Sequence, residues 1–238
     1  MLIAAVSDIH APKFISLLRK ALEKEKKKLK NIDIFILAGD IVNKGNIQGC
    51  KQVITLIKEY YEGPILGVRG NEEYDDRKEK LFSICNEITW LEDNYIILKN
   101  LDIVIVGSKG ALDKPTIWQR RNIPDILEQY KYKISKIESI LRKFSQSNYF
   151  VILVTHYAPR CRTLTGEKYN TWPYLSSTKL THLIKTYQPH LIIHGHAHLS
   201  IKFFDNIGRS KIYNVALPAT KKLTIINTKS SIIDFLNI

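Results

Sequence analysis

The chain reads as an α/β protein with two stacked sheets, and three observations lead there. Short β-branched runs alternate with amphipathic stretches through the first half of the sequence. Apolar runs return as a meander of strands near its end. Of the 238 residues, 45% are hydrophobic, enough to bury a substantial core. Charged residues make up 25%, ordinary for a globular protein, and nothing in the composition suggests disorder. With no internal repeat, low-complexity stretch or linker, residues 1–238 are read as one domain.

Taken in order, residues 2–6 form a strand and residues 12–28 a helix. The run Glu23-Lys24-Glu25-Lys26-Lys27-Lys28 suits that helix's exposed face and its end, where lysines complement the negative pole of the dipole. Residues 32–38 are a second strand, 47–61 a second helix and 64–68 a third strand, followed by a charged helix from about 74 to 85. Residues 95–98 and 103–106, joined by Lys99-Asn100-Leu101-Asp102, pair as a hairpin. Residues 116–144 carry a long helical pattern that breaks or restarts at Pro124. A strand at 149–155, an irregular loop at 159–173, a helix at 177–187 and a strand at 190–194 follow. Residues 201–204, 211–215, 223–226 and 232–236 complete the meander.

The formal charge of +13 raises nucleic acid as a partner, because lysine and arginine displace counterions from phosphates. The favoured reading is a solvated basic surface. Cys50, Cys85 and Cys161 are odd in number and widely spaced, so neither a disulfide framework nor a Cys-x-x-Cys metal clip is expected. The apolar start, Met1 to Val6, lacks a basic leader and meets Ser7-Asp8 at once, too short for a signal peptide or a membrane span. A cytoplasmic protein without membrane contact is expected.

Function is written in what ends each strand. Residues 2–6 run into Ser7-Asp8-Ile9-His10, residues 34–38 into Gly39-Asp40, and residues 65–69 into Gly70-Asn71. Residues 151–155 end in His156, and residues 191–193 in His194-Gly195-His196-Ala197-His198. In open α/β sheets ligands bind beyond the carboxyl ends of the strands. Singly, these are weak signals: Asp-x-His can be a helix cap, and Gly-Asp or Gly-Asn turn chemistry. Together they deliver Asp, Asn and His side chains to one edge, the pattern of a metal site.

These segments resemble the calcineurin-like metallophosphoesterase family, and the matching stretches span nearly the whole chain. The resemblance implies a four-layer α/β/β/α sandwich with two mixed central sheets. It also implies two divalent transition-metal ions (Mn, Fe, Zn, Ni or Co, from the mixed histidine and carboxylate set). One ion would take Asp8, His10 and His198, the other Asn71, His156 and His196, with Asp40 bridging both. The implied activity is hydrolysis of a phosphate ester by attack of a metal-bridging hydroxide. Asp40, Asn71 and Glu72 are the expected catalytic residues, and Lys44, Arg69 and Arg160 the expected substrate contacts.

Two departures matter. Many family members carry His directly after Gly-Asn, whereas this chain has Glu72, followed by Glu73. Glu72 is a candidate general acid; otherwise the pair caps the following helix. An ionised Glu72 repels a doubly charged monoester more than a singly charged diester, so phosphodiesters are expected. The family also often has Gly-Asp-x-x-Asp-Arg-Gly, where this chain reads Gly39-Asp40-Ile41-Val42-Asn43-Lys44-Gly45 and loses the arginine fork. Tyr157, Arg160, Arg162, Lys168, Tyr169 and Trp172 read as loop anchors slightly ahead of a nucleotide site, and Trp118 as core. His194 is read as core or as support for the ligands, and His182 and His190 as surface or packing residues. The alternatives are a nuclease of the same family and a catalytically weak protein-binding scaffold.

Overall fold

The computed structural model describes residues 1–228. Its first half alternates as β1 (Leu2–Val6), α1 (Ile15–Leu29), β2 (Ile34–Ala38), α2 (Ile47–Lys58), β3 (Ile65–Val68), α3 (Lys78–Ile84) and β4 (Ile88–Trp90). Next come β5 (Asn94–Leu98), β6 (Ile103–Ser108), α4 (Ile117–Asn122), α5 (Ile126–Phe144) and β7 (Phe150–Thr155). The remainder is β8 (Ala158–Pro159), β9 (Ser176–Ser177), α6 (Thr178–Tyr187), β10 (Leu191–His194), β11 (Phe204–Ile207), β12 (Ser210–Asn214), α7 (Leu217–Thr220) and β13 (Thr224–Asn227). Strands β13-β1-β2-β3-β4 form one sheet, antiparallel only at β13. Strands β11-β12-β10-β7-β6-β5 form the other, antiparallel only at its two edges.

Side-chain alternation turns these sheets into a sandwich, because successive strand residues face opposite ways. On β2, Phe35 and Leu37 pack with Leu18, Leu22, Val53 and Ile57 of α1 and α2. Ile34, Ile36 and Ala38 face inward, where they meet Ile105, Ile152, Val154 and Ile193 of the second sheet. That sheet's other face, Val104, Val106, Val151 and Leu153, packs against Ile137 and Leu141 of α5 and Ile184 of α6. Three apolar layers therefore separate four layers of secondary structure, and the expected α/β/β/α architecture stands. Parallel strands buried on both faces account for the continuous apolar runs.

Local chemistry sets several boundaries. The lysines read as a helix end, Lys26, Lys27 and Lys28, do occupy the last turn of α1. Pro124 lies in the break between α4 and α5. Thr116 and Gln119 form a capping box at the start of α4, a device worth about 1 kcal/mol.

Other expectations are corrected. Residues 201–204 are not a strand: the Ile201 N–H bonds Thr165 O at 2.8 Å, and Ser200 Oγ holds both the N–H and the carbonyl of Lys202 in a turn. The strand begins at Phe204, and a tight turn at Gly208, with φ +59°, leads into β12. Strand β4 and helix α7 are too short to carry a periodic signal. The expected strand at 232–236 lies outside the described residues. No helix among the described residues is long and apolar enough to cross a membrane.

Cys50 of α2 and Cys85 at the end of α3 are joined by a disulfide, which corrects the expectation of none. The 35-residue separation hides it, because only the packing of α2 on α3 brings the two together. Cys161 is free. Denatured without reductant, the protein should therefore expose one titratable thiol, Cys161, and with reductant all three. Reduction should lower stability by about 3 kcal/mol in chemical denaturation. Three thiols before reduction would contradict the pairing.

Candidate active site

Strands β1, β2, β3, β7 and β10 all finish at one edge of the sandwich, and the polar side chains follow directly. To leave the strands there the backbone bends sharply: Asp8, His10, Asp40 and His196 have φ of 58°, 45°, 49° and 70°. Left-handed backbone at non-glycine residues is uncommon and clusters where surrounding structure holds it for a purpose. Here neighbouring loops lace one another. The N–H groups of Asp8 and His10 bond Gly39 O and Asp40 O at 3.0 and 2.9 Å, and Gly195 N–H bonds His156 O at 3.1 Å.

Two glycines are required by close approach. A Cβ on Gly70 would fall 2.1 Å from Asp40 Oδ1, and one on Gly195 would fall 2.5 Å from Asp8 Oδ2. The backbone thus takes the volume a side chain would need, and the carboxylates sit directly against it.

Each carboxylate has one oxygen tied down and the other turned to imidazoles. Asp8 Oδ2 accepts Ser7 Oγ–H at 2.5 Å and His196 N–H at 2.9 Å, while Oδ1 lies 2.8 Å from His198 Nε2 and 3.9 Å from His10 Nε2. Asp40 Oδ1 accepts the Glu72 N–H at 2.8 Å, while Oδ2 lies 3.4 Å from His156 Nε2 and 3.8 Å from His10 Nε2. Asn71 Oδ1 stands 3.2 Å from His156 Nε2. His156 Nδ1–H donates to Ala38 O at 3.0 Å, which directs Nε2 into the cluster. The ligand atoms of Asp8, Asp40, His156 and His196 lie within 4.8 Å of one another, as do those of Asp8, His10 and His198. All seven sequence-predicted ligands converge, and Asp8 is common to both groups.

Electrostatics follows from that geometry. Burial opposes the charge on Asp8 and on Asp40, yet His198 and His156 hold both carboxyls below their usual range. Burial likewise opposes the charge on His156, but Asp40 outweighs it and raises the imidazole to about 9. Burial dominates at His10 and His196 and pushes both down, His196 to about 3. Neutral imidazoles and ionised carboxylates are the forms that ligate metals. Nitrogen and oxygen donors in this mixture could hold two divalent transition-metal ions.

Sequence reasoning missed Glu73. It does not cap a helix: buried, it accepts the N–H groups of Asp40 and Gly70 at Oε2, 2.9 and 2.6 Å, and of Val42 at Oε1, 2.9 Å. It thereby clamps the loops after β2 and β3 together, with burial and the Asp40 charge pushing it up to about 7. Arg69 is not a substrate contact. Its guanidinium, 4% exposed, is held by Glu92 at 2.6 and 3.0 Å, Asp75 at 2.5 Å and the Glu73 carbonyl. Arg160 pairs with Asp113, Nη2–Oδ2 3.0 Å, and is not among the residues lining the cavity beside the cluster. His194 is buried outside the cluster, between Thr163 Oγ1 and Gly195 O, each at 2.8 Å.

That cavity, about 770 Å³, opens at Asn71 and His196 and extends under α4 and α5. Lys44 and Glu72 stand at its edge, with the Glu72 carboxylate accepting the Lys44 N–H at 2.5 Å. Trp118, expected in the core, lies on its wall.

The profile of the calcineurin-like phosphoesterases matches residues 1–200. Comparison with curated proteins finds no significant match. Among solved structures, the phosphopantetheinyl hydrolase PptH of Mycobacterium tuberculosis is similar at 15% identity and TM-score 0.63, over 94% of this chain and 95% of that one. TT1561 of Thermus thermophilus is similar at 18% and 0.56, over 95% and 98%. GAP50, described as the anchor in the inner membrane complex of Plasmodium, is similar at 11% and 0.61, over 94% and 80%. At these identities the structures attest the fold. The profile carries the family, and the chain belongs to the calcineurin-like phosphoesterases, metal-dependent enzymes that hydrolyse phosphate esters.

Proposed function

We propose that the chain hydrolyses phosphodiesters in preference to monoesters, at two divalent metal ions. Asp8, His10 and His198 would hold one ion and Asn71, His156 and His196 the other, with Asp40 able to serve both. The observation that carries this reading is Asp40 Oδ2, within 3.8 Å of His10 Nε2 on one side and 3.4 Å of His156 Nε2 on the other. Two ions bound there supply Lewis-acid stabilisation of the phosphoryl oxygens and an activated water.

The residues do the rest. Asp8 and Asp40 return two negative charges against the four of the ions, so the occupied site stays cationic and attracts phosphate. The Ser7 hydroxyl and the N–H groups of His196 and Glu72 fix the carboxylate planes. Glu72 holds its place by accepting the Lys44 N–H. In this reading it selects by charge: at the cavity edge beside Asn71, a carboxylate disfavours the dianionic monoester more than the monoanionic diester. Proton donation to the leaving group is not assigned to it.

A nucleic-acid substrate is the less favoured reading, prompted by the formal charge of +13, although some of the basic side chains have acidic partners. On α1, Lys26 pairs with Glu23 and Lys28 with Glu25; after β8, Arg162 pairs with Asp205. A scaffold role like the anchoring function ascribed to GAP50 would leave the convergence of six potential metal-ligating side chains, with Asn71 beside His156, without a purpose.

Asp40→Ala and His156→Ala, stripped and reloaded with metal, should fall to background activity; full turnover in either would refute the assignment. Wild type should turn over bis(p-nitrophenyl) phosphate about tenfold faster than p-nitrophenyl phosphate, and Glu72→Gln should narrow that gap by raising the monoester rate. A strong monoester preference, unmoved by Glu72→Gln, would contradict charge selection.

A pH effect follows from His156. Its folded pKa of about 9 lies above the unfolded value near 6.5. In the metal-free protein its pairing with Asp40 therefore stabilises fully below about pH 6.5 and is lost as pH rises through 9. Metal must displace that proton, so calorimetry should record proton release on metal binding at pH 7 that diminishes towards pH 9. No release at pH 7 would contradict the pairing.

A further inference from the structure

Helix α4 is six residues long, and Gln119 is its only buried residue. The Gln119 side chain accepts the Thr116 N–H at 2.8 Å and the Tyr130 hydroxyl at 3.1 Å, and donates to the Tyr157 hydroxyl at 3.0 Å. Tyr157 follows His156 directly, and its ring lies 4.9 Å from that of His196. The helix is thus pinned through one side chain to the wall of the ligand cluster. Its neighbour in sequence, Trp118, is consequently held in a defined place while remaining 56% exposed.

A lone exposed apolar residue carries no meaning by itself. Trp118 is different because it lines the cavity that opens at Asn71 and His196, where the Tyr74 ring stacks near it at 6.1 Å and 21°. Leu112, Ile123 and Ile126 add apolar wall. Three lysines line the cavity in company with the carboxylates of Glu72, Asp75 and Asp76: Lys44, Lys109, which follows β6 and lies 3.6 Å from the Asp75 it shares with Arg69, and Lys133 of α5, 2.9 Å from Asp93. At about 770 Å³ the space matches that of small-molecule sites. A flat, uncharged group fits such walls better than a second phosphate does.

We infer that this cavity binds the organic part of the phosphate ester, and that the group it takes is an aromatic or heteroaromatic ring stacked on Trp118. The inference rests on the phosphoesterase reading for the neighbouring phosphate. The ring lies against Trp118 and Tyr74 while the ester oxygen reaches back past Asn71.

The test is calorimetric titration of the metal-loaded full chain with AMP, 1-naphthyl phosphate, ribose 5-phosphate and adenosine. At least one aromatic phosphate should bind about tenfold or more tightly than ribose 5-phosphate. Trp118→Ala should erase that difference without changing ribose 5-phosphate affinity or metal content, and Trp118→Phe should restore much of it. Equal affinity of all three phosphates for wild type, or an equal loss for all three in Trp118→Ala, overturns the inference and leaves the phosphoesterase reading intact. Adenosine binding that Trp118→Ala abolishes, with no gain from any phosphate, supports the cavity and instead refutes phosphate binding at the cluster.

Discussion

Two carboxylates, Asp8 and Asp40, are buried side by side at the edge where both sheets end, and the local architecture is arranged to keep them ionised. Burying a charge is expensive unless it is paired and hydrogen-bonded. Each therefore has one oxygen on backbone N–H or hydroxyl donors and presents the other to histidines. The left-handed bends at Asp8, His10, Asp40 and His196 and the missing side chains of Gly70 and Gly195 are consequences of fitting backbone around those oxygens. Glu73, joining three amides of two loops, ties the arrangement together.

The apolar layers make that arrangement possible. Ile36, Ile105, Ile152 and Ile193 lock the two sheets face to face, so strand ends from both sheets reach one edge in fixed register. The first sheet contributes Asp8, His10, Asp40 and Asn71, and the second His156, His196 and His198. Neither sheet alone carries all seven candidate ligands, so the inter-sheet core is what brings them together. Beyond it, α4 and α5 supply the cavity that gives the cluster a direction of approach.

The convergence of the candidate ligands was legible because they obey a local rule: a buried strand, then a polar residue where it ends, in five separate segments. Short β-branched runs alternating with amphipathic stretches made the α/β class legible, and the four layers followed from the family resemblance. What stayed hidden depends on contacts between distant loops. Glu73 looked like the partner of Glu72 at a helix start, since its three amide donors come from loops that only tertiary folding brings near. Arg69 followed a strand and looked available, but Asp75 and Glu92 close around it. Trp118 looked like core because large aromatics usually are, but it is exposed on the cavity wall, next in sequence to the anchored Gln119. The Cys50–Cys85 bond needed the packing of α2 on α3.

The proposed site shares one carboxylate between two divalent ions, and electron paramagnetic resonance of the manganese-loaded protein interrogates that directly. At saturation, two Mn(II) per chain should give the broadened, multiline spectrum of an exchange-coupled pair, and Asp40→Asn should uncouple it. Saturation at one ion, or two ions giving only the six-line signal of isolated Mn(II), would contradict it.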